Sequence, residues 1–152
     1  MTADRRPLQF ASIAEIMPDV DRLLAGHRTV GLWSLGQICE HLATVTNWML
    51  DRPADSPQLD PAQVKGAPEK GEVFATGRLP EGMPLPAMLA SPDAVDASEG
   101  ARRLSRVLTR FQESHPPQAP HRLFGPLSKA EWDRVVCIHC AHHLSFVHPQ
   151  AA

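Results

Sequence analysis

Residues 128–147 read SKAEWDRVVCIHCAHHLSFV, and they decide the fold. Ser128 followed three residues later by Glu131 is a capping box, in which each side chain satisfies the other's free backbone N–H at a helix start. Trp132, Val135, Val136, His139, His143 and Phe146 then recur at helical spacing, predicting a helix over residues 129–147 with Pro149 beyond it. His139 and His143 stand one turn apart on its apolar face.

The same start signal occurs three more times: Ser12 with Glu15, Ser34 with Gln37, and Asp96 with Glu99. A single match means little, but each of these opens an apolar-periodic stretch. The predicted helices span residues 13–25, 35–50 and 99–114. Their buried stripes are Ile13, Ile16, Val20, Leu23 and Leu24; Leu35, Ile38, Leu42, Val45 and Met49; and Leu104, Val107, Leu108 and Phe111. Pro18 predicts a kink or a helix that properly starts there, Gly26 ends the first helix, and Pro116-Pro117 stop the third.

Between residues 50 and 96 lie eight of the fifteen prolines, and no period holds there. A short strand at residues 73–74 or a helical turn at residues 85–89 would fit. The expected fold is all-α, one domain over residues 1–152. It is a four-helix bundle with a long proline-rich connection between its second and third helices.

Bulk composition excludes several classes. With 43% hydrophobic and 21% charged residues and a net charge of −2, the chain is globular and offers no basic patch for nucleic acid. Neither a secretory h-region nor an apolar run of membrane-spanning length occurs, so no membrane association is expected and the cytoplasm is the default setting. Cys39, Cys137 and Cys140 cannot all pair and read as reduced, buried thiols. Cys137-Ile-His-Cys140 is a CxxC placed mid-helix, away from the helix N-terminus that redox pairs use, and Ala141 stands where haem attachment needs histidine. No Ser-His-Asp order, phosphate-binding glycine loop or paired catalytic carboxylates can be argued.

Histidine is the exception, with eight in the chain and four of them between residues 139 and 148. Imidazoles at i, i+4 can converge on one ion at the ~2.0–2.1 Å bonds zinc prefers. His41 lies on the edge of the second helix's apolar face and can supply a third ligand, leaving a position open for water or substrate. A lone inward histidine is more often a packed core residue; three on facing helices favour a divalent metal ion. Zinc or nickel stands first and iron or manganese behind, although three imidazoles also suit copper. His142 permits an HxxH pairing with His139, but it lies about 100° around the helix from His143, and the stripe favours His143. His142 is then an outer partner, part of the rim or solvated. His121, in the turn HRLFGPLS, is an exposed loop histidine or part of the site mouth. Glu40 is a solvated charge, a base or an outer partner of His41.

The stretches GLWSLGQICEHLA and LFGPLSKAEWDRVVCIHCAHHLSFVHP, with the opening RRPLQFASIAEIMPDVDRLL, resemble the DinB/YfiT-like metalloenzymes, more narrowly an uncharacterised bacterial branch. That resemblance covers nearly all the chain except the proline-rich middle. It implies an up-down-down-up bundle, often a homodimer, with the family's histidines falling on His41, His139 and His143. It further implies a small-molecule substrate and a low-molecular-weight thiol, as in thiol S-transferases. The competing expectations are metal-assisted hydrolysis and a metal-binding or stress-associated bundle without catalysis. The long connection and the neighbouring His142 depart from the family pattern.

Overall fold

The computed structural model describes residues 4–57, 69–79 and 92–150. Among them the chain is mostly helical: α1 Ile16–Leu24, α2 Leu35–Asp51, α3 Lys70–Thr76, α4 Ala97–Glu113 and α5 Lys129–Leu144. Four of these fall on the predicted segments. Ser34 and Ser128 make the full reciprocal cap, each accepting from the backbone N–H three residues on while Gln37 or Glu131 accepts from its own N–H. Asp96 caps α4 in one direction only, because the Glu99 carboxylate turns instead to Arg102 and Arg103. At Ser12 it is Glu15 that reaches back, 2.8 Å from the Ser12 N–H. There a 3₁₀ turn, Ile13–Glu15, leads into α1, and Pro18 sits in the first helical turn, where its missing donor costs nothing.

Three expectations change. The fold carries a small antiparallel sheet, β1 His27–Thr29 with β2 Val147–Pro149, in register Arg28 opposite His148. Accordingly α5 stops at Leu144, and Phe146 and Val147 are not helical. The local pattern could not separate the two outcomes, since Val147 is fully buried either way. The proposed strand at residues 73–74 is helical instead: Val73 is buried in α3, and Gly77 caps that helix at φ 68° with its N–H on the Val73 carbonyl. A lone strand would leave its backbone groups unpaired, whereas a helical turn satisfies its own. The turn proposed at residues 85–89 lies outside the described residues. Finally Leu24 is 36% exposed, and Val45 is half-buried while Thr46 faces the core with its hydroxyl on the Leu42 carbonyl.

The core runs from Ile16, Val20 and Leu23 through Leu35, Ile38 and Leu42 to Leu104, Leu108, Trp132, Val136 and Leu144. Near the centre of α5 every residue from Val135 to Ile138 is buried. Helix α3 seals its flank: Lys70 pairs with Glu131 at 2.9 Å, and Arg134 donates to the Phe74 carbonyl. At the other end the N-terminal strand of chain is clamped by Arg6, which grips Asp19 through two bonds and also donates to the Leu144 carbonyl. No helix among the described residues is long and apolar enough to cross a membrane.

Candidate metal centre

The packing of α2 on α5 brings His41, His139 and His143 together. One ligand atom from each lies within 4.8 Å of the others. The rings meet edge to face, with centroids 5.3 Å apart for His41 and His139, 4.6 Å for His41 and His143, and 4.8 Å for His139 and His143. Tetrahedral ligation at ~2.1 Å asks for nitrogen separations of about 3.4 Å, which side-chain rotation can supply.

Burial differs among the three. His41 is 2% exposed, and its Nε2 is buried without a hydrogen-bond partner. A buried imidazole nitrogen left unpaired is costly, and a ligand to it offsets that cost. His139 and His143 keep part of their surface exposed although protein surrounds them on most sides. Burial pushes His41 down to about 4 from its ordinary 6.5, and it pushes His139 and His143 well below that ordinary value, with their histidine neighbours adding to the effect. All three are therefore neutral at physiological pH, the state in which imidazole ligates.

This sets a pH dependence for the metal-free protein. A histidine whose folded value is depressed gives stability that is complete above the unfolded value near 6.5 and is lost as pH falls towards the folded one. For His41 alone the loss at pH 5 is about 2 kcal/mol. The urea midpoint of metal-free protein is expected to fall between pH 7.5 and pH 5, and an unchanged midpoint would refute these shifts.

The other candidates lie elsewhere. His142 lies edge to face beside His143, ring centroids 4.9 Å apart, but stands outside the group of three: its Nδ1 is 3.1 Å from an Arg5 guanidinium nitrogen, in a cavity of about 650 Å³ also lined by Ser145. Glu40 places its carboxylate 2.8 Å from Arg103 of α4. His121 is half-buried, with its ring stacked on Phe124 at 4.5 Å, and its Nδ1 accepts from the Leu123 and Phe124 N–H groups at 3.1 Å each. The thiols are free and buried, and burial raises Cys39 to about 12 and Cys137 to about 11, so they are protonated and inert.

Trp33 belongs to the site and was missed. Its ring stacks on His143 at 5.6 Å and tilts on His41 at 4.9 Å, so the loop before α2 shields two of the three imidazoles. The only hint in the sequence was an aromatic residue directly before a helix cap.

Fold and site together describe a mostly helical protein with a three-histidine group able to receive a metal ion. A family model described as "Protein of unknown function (DUF1569)" matches residues 2–150, and the chain belongs to that family. Comparison with curated proteins and with solved structures gives no match.

Proposed function

We propose that the protein is a metal-dependent enzyme in which His41, His139 and His143 hold one divalent ion, zinc or nickel before iron or manganese. A thiol or water then attacks a small electrophile at this centre, in the manner of an S-transferase. The observation that carries the reading is the orphaned, buried Nε2 of His41 faced by two further inward imidazoles. A bound divalent ion lowers the pKa of a thiol or water held against it. The chain's own part is to keep three imidazoles neutral, to fix His41 in the core and to shield one side with Trp33. The helical architecture is compatible with the up-down-down-up DinB-like arrangement that the sequence resembles.

A non-catalytic metal-binding bundle would call for a fourth protein ligand. Among the described residues the group has three members. The His121 Nδ1 is engaged by backbone, and His142 is turned to Arg5. A position that the described residues leave open favours catalysis, by thiol or by water. Assaying thiol consumption against hydrolysis on a panel of electrophiles separates those two.

The metal itself is tested by melting. Zinc or nickel at a hundred times its Kd stabilises the folded state by about 2.7 kcal/mol, which for a chain of this size raises Tm by roughly 5–10 °C. Absence of bound ion on elemental analysis, together with an unmoved Tm, would remove the proposal.

A further inference from the structure

The turn from His121 to Gly125 is built more firmly than a connection needs. His121 and Gly125 exchange backbone hydrogen bonds at 2.8 and 3.0 Å, and Gly125 takes φ 77° to close the turn. Leu123 is 5% exposed and anchors it in the core. Because the His121 Nδ1 accepts two backbone N–H groups, that ring carries its proton on Nε2. The resulting Nε2–H has no acceptor among the described residues, and the ring is held between Phe124 and Trp132, one helical stretch before His139.

Arg122 occupies the same turn. It is half-buried, and among the described residues it makes no hydrogen bond or ion pair. The other half-buried arginines among the described residues are all engaged: Arg5 by the Ser145 hydroxyl, Arg6 by Asp19, Arg52 by the Pro120 carbonyl and Arg134 by the Phe74 carbonyl. Beside it Arg52 is fixed by the Pro120 and Pro57 carbonyls and by the Trp48 ring 4.7 Å beneath it, with no carboxylate on it among the described residues. The two guanidiniums are close enough to repel, and burial with that repulsion lowers Arg122 below its ordinary value. The turn packs through His121 on Trp132, which lies seven residues before His139 on α5. A half-buried guanidinium with no partner keeps its fork of donors available to a carboxylate or phosphate, the groups it matches in bidentate fashion.

We infer that Arg122, with Arg52 behind it and the His121 Nε2–H beside it, forms a subsite for the oxyanionic head group of a substrate whose reacting end lies at the three-histidine centre. The head group is a carboxylate or a phosphate, since a guanidinium fork matches either in two parallel bonds. The inference rests on the function proposed above for its account of the reacting end, but the subsite itself is a property of this turn.

The test is calorimetric titration of the full chain with succinate and, separately, with inorganic phosphate, first metal-free so that neither probe meets an ion, then zinc-loaded with succinate. Whichever probe binds the parent more tightly identifies the head group. Arg122→Gln is expected to weaken that probe by about tenfold to a hundredfold, with zinc stoichiometry unchanged and Tm equal or higher. Arg122→Lys should restore part of the affinity through charge alone. His121→Asn, whose side-chain oxygen can still accept from the turn while the Nε2–H is lost, should weaken the same probe severalfold. Equal probe affinity in parent and Arg122→Gln, or no binding of either probe to the parent, overturns the subsite. Running His139→Ala in parallel separates the two readings: Arg122-dependent binding in a variant that resembles its parent in zinc content leaves the subsite standing while the metal assignment fails.

Discussion

Replacing His139 by alanine is expected to take bound zinc from about one ion per chain to almost none. His139 is one of three ligand candidates within 4.8 Å of one another, and no fourth histidine or cysteine joins the group among the described residues. Loss of even an outer partner of a ligand weakens metal binding by about 10–100-fold, so loss of a ligand itself should exceed that. Elemental analysis of purified protein, and melting with and without added zinc, measure the effect. His142→Ala is the matched control. It lies three residues along the same helix, but its ring is directed at Arg5, so the zinc content should be kept. If His139→Ala bound zinc like its parent, the three-histidine assignment would fail; if His142→Ala lost the ion instead, the ligand set would have to be redrawn.

The second large effect is expected far from any polar group. Gly36 lies in the first turn of α2 against the segment that enters α4, and a Cβ built there would stand 1.9 Å from the Val95 carbonyl oxygen. Facing it, a Cβ on Gly100 of α4 would meet the Gly36 carbonyl oxygen at 2.7 Å. The obstacle in both cases is backbone, which cannot turn aside as a side chain does. Helix propensity alone would favour Gly36→Ala by about 1 kcal/mol. Overpacking costs about 1–3 kcal/mol where side chains can adjust, and it should cost more here. Gly36→Ala is therefore expected to lower Tm by roughly 10 °C or more, or to prevent folding. Gly71 of α3 has nothing within 4 Å of its would-be Cβ, so Gly71→Ala should leave Tm unchanged or slightly raised. A normal melting curve for Gly36→Ala would show that α2 and α4 are not in this contact. Because His41 follows Gly36 by five residues on the same helix, a displaced α2 should also carry His41 away from its partners and lower zinc content.

Helices were legible because what starts them is local. A serine and an acid or amide three residues on, with apolar residues at i, i+3 and i+4, act within one or two turns of chain, so the four long segments could be read to within a few residues. The histidine set was legible for the same reason, since His139 and His143 share a helix face whatever packs on it. Trp33 and Arg122 were not, because nothing next to them in the sequence fixes what they meet.

What the sequence determined by itself is thus the four helices that open on a cap signal, most of their buried faces and a set of histidines on α2 and α5. Only the tertiary structure decided that residues 147–149 pair with residues 27–29, that α3 closes the flank of α5, and that α2 and α4 touch through Gly36 and Gly100. It also set His143 in the group with His41 and His139 and left His142 outside it. Helix α5 is buried on most sides near its centre, so the apolar stripe alone separates those two poorly. Both rings touch each other, but His142 reaches Arg5 while His143 reaches His41. Backbone proximity across more than a hundred residues depends on packing, and no local pattern encodes it.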